Sequence, residues 1–194
     1  MDDLRKSGSS RTSAAGGDRR VRRSRAALTN AFTELAFERG YSNISIRDVA
    51  ERADVGRSTL YAHFSGIDDL LAQSLDRHLS TIARCSVLPE IVPELAQIVA
   101  HFWQQRRIAR TMLQGDASVA IARLLVHRFA EALFVLRREH RSRSAAPIAL
   151  IAEQLAAGQL ALLSAWLLGR VSASPDAVAQ LLHRTTYAAA LAAI

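Results

Sequence analysis

Residues 45–64 read SIRDVAERADVGRSTLYAHF, and their pattern is two short amphipathic helices joined by one tight turn. Ser45 sits where a hydroxyl can cap free backbone N–H groups, and Asp48 lies near the positive end of the same helix dipole. Ile46, Val49, Ala50 and Ala53 fall on one face. The turn Ala53-Asp54-Val55-Gly56 follows, and then a second helix, RSTLYAHF, with Leu60 and Phe64 turned inward. Two helices can cross closely only where a side chain is small, which suits Ala50. Val55 supplies an apolar plug for the crossing. The second helix is left with Arg57, Ser58, Thr59, Tyr61 and His63 on its other faces, short polar or basic groups with no acid among them. This is a helix-turn-helix arrangement, whose second helix carries the chemistry suited to a nucleic-acid groove. The same geometry also arises in any helical protein, so the packing pattern alone leaves both readings open.

Helices of about eight residues are unstable alone, so the flanks must support them. Upstream, Leu28, Ala31, Phe32, Leu35 and Ala36 share one face of a helix running from Arg20 to about residue 38, closed by Gly40. Downstream, Ile67, Leu70, Leu71, Leu75, His78, Leu79 and Ile82 keep helical register over residues 67–84. Further helices are expected at about 91–114, 117–141 (with a possible break), 146–170 and 175–193. No stretch sustains period-two alternation, and no repeat recurs at fixed spacing. The expected class is all-α: an N-terminal three-helix helix-turn-helix domain followed by a larger helical domain.

Charge is uneven along the chain. The sequence has 25 basic and 18 acidic residues, a net charge of +7. Most of the excess lies in residues 1–25, including Arg19, Arg20, Arg22, Arg23 and Arg25. That suggests an anionic partner there, or a solubilising tail. Residues 1–18 are polar and rich in glycine and serine, and are expected to be a disordered basic arm.

Several function classes find no support. One cysteine, Cys85, excludes a disulfide framework. The histidines are too widely spaced for a local metal-ligand motif, so neither metal nor cofactor is expected. No glycine-rich phosphate loop, nucleophile elbow or paired acid-base motif is present, which argues against an enzyme. The twin arginines are not followed by an unbroken apolar segment, so they do not read as an export signal. Residues 148–169 are apolar, but their uncharged part, 155–169, is short of the ~20 residues a spanning helix needs. A cytoplasmic protein without membrane association is expected.

Residues 22–75 closely resemble the DNA-binding domain of the TetR (tetracycline repressor) family of transcriptional regulators. The matching stretches are Arg25–Leu28, Leu35–Tyr41, Ser45–Ala50, Ala53–Val55, Thr59–Phe64 and Asp69–Leu71. The resemblance implies that residues 57–64 enter the major groove, with Arg57 and Ser58 reaching base edges. It implies that Thr59, Tyr61 and His63 hold phosphates or brace the helix, and that Ser45 and Arg47 grip the backbone. Side-chain chemistry agrees, since arginine can bind guanine in bidentate fashion and hydroxyls suit phosphates. Three positions depart from the family pattern. Asp54 replaces the turn glycine, Gly56 replaces a hydroxyl cap, and Ile67 replaces a lysine; the arginine-rich arm is expected to compensate for the last.

On the same resemblance, residues 19–80 form the DNA-binding domain, and 81–194 form a ligand-sensing and dimerising domain. The last two helices are then expected to pair with those of a second copy, where Ala156, Ala157, Gly158 and Ala161 allow close approach. Phe102, Trp103, Met112, Phe129 and Trp166, together with Phe134, are candidate walls of an apolar effector cavity. His101, His127 and His183 are candidate polar contacts within it. The expected function is a ligand-responsive repressor binding a palindromic operator as a homodimer, with a small-molecule effector. The alternative is a non-specific architectural DNA-binding protein.

Overall fold

The computed structural model describes residues 9–85, 87–115, 117–141 and 144–194, with side chains from Asp18 onward. Among these residues there is no strand. The helices in chain order are α1 (Ser9–Arg39), α2 (Ile46–Arg52), α3 (Arg57–His63), α4 (Ile67–Arg84), α5 (Pro93–Gln104), α6 (Arg106–Gln114), α7 (Ala117–Glu139), α8 (Ile148–Leu167) and α9 (Pro175–Ala193). A single 3₁₀ turn, Tyr41–Asn43, joins α1 to α2.

Three boundaries differ from the sequence expectation. First, α1 extends back to Ser9, through residues 9–18 that composition assigned to disorder. The segment Leu28–Ala36 is anchored in the core. Extending an existing helix adds a hydrogen bond for each residue fixed, without the cost of a new nucleus. The expectation for residues 1–8 lies outside the described residues. Second, the helix expected over 91–114 is divided at Gln105, whose φ of −99° and ψ of 26° leave the helical range. Neither glycine nor proline marks this point. The division follows from packing, because α5 lies against α9 while α6 lies against α1, α7 and α8. Third, α7 runs unbroken for 23 residues.

The core is continuous from end to end. Leu28, Phe32 and Leu35 of α1 join Leu60, Phe64 and Leu70 around the helix-turn-helix, and Leu79 and Ile82 of α4 carry the same cluster on to Leu125, Leu133 and Trp166. Each of these large side chains is almost fully removed from water. Burial of this kind contributes on the order of 2 kcal/mol per side chain. The longest contacts are between α7 and α8, with α4 laid beside α7. Thus α1 and α4 belong to the packing of both halves of the chain. At its far end α8 stops at Gly169 (φ 77°), where the Arg170 N–H reaches back to the Ala165 carbonyl at 2.9 Å, a glycine-terminated C-cap. Ser174 then caps α9 through the Ala177 N–H at 3.2 Å, with Pro175 in the first turn.

Candidate nucleic-acid interface

The turn between α2 and α3 is built from its own residues. Ser45 and Asp48 form a reciprocal capping box: the Ser45 hydroxyl accepts from the Asp48 N–H at 3.2 Å, and the Asp48 carboxylate accepts from the Ser45 N–H at 2.8 Å. The Ser45 hydroxyl also donates to that carboxylate. This hydroxyl and the Ser45 N–H, helped by Arg39, hold the Asp48 carboxyl below its usual range. The chain then turns through Asp54 at φ 51°, a left-handed conformation that aspartate tolerates better than most residues. The Val55 N–H closes the turn on the Ala50 carbonyl at 3.0 Å. Gly56 occupies the cap of α3 without a side-chain hydrogen bond.

Helix α3 presents the expected polar surface. Leu60 and Phe64 are buried beneath it, and Arg57, Ser58, Thr59 and Tyr61 are exposed, Tyr61 by 58%. Among the described residues none of these four is spent on a hydrogen bond or ion pair within the chain. With Ile46, Arg47, Ala50 and Leu60, the side chains of Arg57 and Tyr61 border a shallow crevice of about 130 Å³ between α2 and α3. The other three predicted residues have structural partners. Ser45 is engaged in the cap. Arg47 pairs with Glu51 one turn along at 2.7 Å, both well exposed, so a phosphate can take it over at little cost. His63 faces inward, with Nε2 2.8 Å from the Ser24 hydroxyl of α1.

Sequence reasoning missed the bracing network that holds α3 in place. Arg25 donates to Gln73 at 2.5 Å, and Gln73 donates to Asp69 at 2.9 Å and to the His63 carbonyl at 3.4 Å. Asp69 in turn accepts from the Ser65 N–H at 2.8 Å. Arg52 clamps α2 to α1 through both oxygens of Glu38, at 2.7 and 2.9 Å. These partners lie up to 48 residues apart, where no periodicity links them. Ile67 packs against the core instead of facing solvent. The arginines of the expected arm, Arg19, Arg20, Arg22 and Arg23, ride on the exposed surface of α1, and Arg22 pairs with Asp18 at 2.8 Å.

Behind the interface lies a cavity of about 470 Å³, walled by α1, α4, α5, α6, α7 and α8, a size typical of sites for small molecules. Of the five candidate wall residues, Phe102 and Met112 line it; Trp103, Phe129 and Trp166 do not. Trp103 and Trp166 stack on each other at 4.9 Å, the Trp166 indole donates to the Ala173 carbonyl at 3.0 Å, and Phe129 is wholly buried. Phe129 and Trp166 are core, and Trp103 is half-buried against it. Phe134 is exposed on α7. Of the histidines, His101 lines the cavity, stacked at 5.7 Å on His78 of α4, which sequence reasoning passed over as an ordinary inward position. His183 is buried against the Leu88 carbonyl, and His127 pairs with Glu131 on the surface. Cys85 is buried, which pushes its thiol up to about 12 and keeps it in the unreactive thiol form. Among the described residues no group of three His, Cys, Asp or Glu side chains stands close enough to hold a metal ion.

Helix α8 is the one described helix long and apolar enough to cross a membrane by length and composition. Its inner face, including Ile151, Leu155, Leu163 and Trp166, is buried in the chain's own core. Ala157, Gly158 and Ala161 lie on its exposed face, whereas Ala156 is buried.

Comparison with known proteins agrees with this geometry. Residues 28–73 match the family model described as bacterial regulatory proteins, tetR family. Over 52 residues the chain is 38% identical to an uncharacterized HTH-type transcriptional regulator of Haemophilus influenzae, covering 27% of this chain and 25% of that protein. Over 56 residues it is 43% identical to an HTH-type transcriptional repressor of Mycobacterium tuberculosis, covering 29% of each. The aligned segment thus spans little more than a quarter of these curated relatives. Similar folds extend much further. The TetR transcriptional regulator of Streptococcus agalactiae superposes with a TM-score of 0.57 at 24% identity, over 89% of this chain and 98% of that one. A TetR-family regulator of Streptomyces coelicolor gives 0.58 at 18% identity, over 97% and 99%. NalD of Pseudomonas aeruginosa, described as the secondary repressor of the MexAB-OprM multidrug efflux pump, gives 0.54 at 24% identity, over 86% and 95%. Over residues 28–73, which hold α2 and α3, the chain is similar to the tetR family of bacterial regulatory proteins.

Proposed function

We propose that the protein is a sequence-specific transcriptional regulator of the cytoplasm, acting as a ligand-responsive repressor and without enzymatic activity. Residues 19–80 act as the DNA-binding unit, and 81–194 as the sensing and dimerising unit. The observation that carries this reading is the exposed, unspent row Arg57, Ser58, Thr59 and Tyr61 on α3, held by a braced helix-turn-helix. Arginine and hydroxyl groups so presented suit guanine edges and phosphates in a major groove. The basic surface of α1 adds attraction for the same polyanion.

A homodimer is needed for two such helices to meet successive half-sites of a palindromic operator. The exposed faces of α8 and α9 suit that pairing: Leu150 and Leu181 stand in water in the single chain, beside small residues that allow close approach. An effector in the cavity touches Thr29 and Phe32 of α1 and six residues of α4. It therefore has a direct route to the spacing of the two recognition helices, provided that it binds the two spacings with different affinity.

The experiment is selection from a randomised duplex pool with the effector absent. Enrichment of an inverted repeat, preferred over random duplex by about 10³-fold or more at fixed salt, is the expected result. Uniform binding that collapses steeply with salt would instead identify a non-specific architectural protein.

A further inference from the structure

The cavity is largely apolar. Hydroxyls of Thr33 and Ser74 line it, but each donates to its own helix, to the Thr29 carbonyl at 3.0 Å and the Leu70 carbonyl at 2.6 Å. The polar capacity left over lies with the Thr29 hydroxyl on α1 and with His78, His101 and Gln105. His78 and His101 stack with their rings 11° from parallel, 5.7 Å apart. The Nδ1 atom of His78 is buried without a hydrogen-bond partner. His101 and Gln105, one helical turn apart, are exposed as well as cavity-lining, which places them at its mouth.

Taking the cavity as the effector site proposed above, we infer that its effector is an apolar molecule bearing a single carboxylate, held at its acidic end by the His78–His101 pair. A wholly apolar occupant would leave the buried His78 nitrogen unpaired, at a cost comparable to a lost hydrogen bond. A carboxylate offers only acceptors, and the two imidazoles with the Gln105 amide supply donors. Charge favours the same choice. From α1, α6, α7 and α8 no titratable side chain lines the cavity. Besides the two imidazoles, the charge acting on His78 is that of Arg77, so every ionic influence there is positive and unmatched by an acid. Burial first, then His101 and Arg77, keep His78 below the usual imidazole range and therefore neutral at physiological pH. An arriving carboxylate reverses that balance, so binding takes up a proton between the lowered free value and the raised bound one.

The test titrates the full-length chain calorimetrically with decanoate and with 1-decanol, in two buffers of different ionisation enthalpy near neutral pH. Decanoate is expected to bind at least about tenfold more tightly, with net proton uptake. His78→Gln is expected to abolish the preference and the uptake while retaining 1-decanol affinity, which also reports an intact cavity. If His78→Gln loses 1-decanol as well, His101→Gln decides, with a reduced preference expected. Equal affinity for the two probes, or a preference that survives both substitutions, overturns the carboxylate assignment and leaves the effector cavity standing. Binding of neither probe overturns the assignment and the cavity's role together, while the duplex selection continues to report separately on the DNA-binding reading.

Discussion

Tyr61 and Asp54 show how differently two single residues are constrained. Tyr61 is 58% exposed and has no hydrogen-bond partner among the described residues, so the fold does not need its hydroxyl or its ring edge. Tyr61→Ala should leave thermal stability nearly unchanged while weakening operator affinity by about 1–3 kcal/mol, the scale of a good contact in the groove. Competition binding on the selected operator, beside a melting curve, measures both. Unaltered operator affinity would remove α3 from the interface. Asp54 has the opposite profile, because its φ of 51° is strained for any L-residue with a side chain. Asp54→Gly should stabilise the domain by up to about 1 kcal/mol, as chemical denaturation would read, because glycine adopts this conformation freely. A fall in stability would mean that the aspartate side chain does more for the turn than its backbone costs.

For the helices the decisive features are caps and braces. The Ser45–Asp48 box closes α2, which is only seven residues long and so depends on its ends. Ser45→Ala should cost about 1 kcal/mol in a urea titration. The same pair carries a pH signature. The folded-state Asp48 carboxyl is held below its ordinary value, by the Ser45 hydroxyl first. Its contribution is therefore complete above the unfolded-state pKa and is lost as pH falls through the depressed folded value. Ser45→Ala should flatten the acid limb of stability against pH; an unchanged limb would show that another carboxylate governs it. The local half of this geometry was legible in the sequence, since capping boxes and turns are written within a few residues. The other half was not. His63 with Ser24, and Arg25 with Gln73, meet because α1 packs against both α3 and α4, and spacing in the chain carries no trace of that.

The assembled molecule turns on which apolar faces end up where. Ala161 lies on the exposed face of α8, so a charge there adds little strain to a single chain but prevents close pairing of two. Ala161→Arg should shift the protein to monomer in sedimentation and lower operator affinity by more than tenfold through lost avidity, with helicity unchanged. A stable dimer in that variant would place the pairing surface elsewhere. The candidate effector residues teach the same lesson from inside. Aromatic residues at helical spacing mark a core and a cavity alike. Trp103, Phe129 and Trp166 fill space, and only Phe102 and Met112 border it. The break at Gln105, which opens the α5–α6 corner of the cavity, has no local signal either.

Local order along the chain was enough to establish the helices, the helix-turn-helix and the polar row on its second helix. Those features depend on neighbours three or four positions apart and on turn chemistry within a single loop. Packing decided the rest: how far back α1 runs, where α5 gives way to α6, what braces α3, and which aromatic groups leave a hollow between them. Each depends on helices brought together from distant parts of the chain, where close packing and unmet hydrogen bonds, not periodicity, select the arrangement.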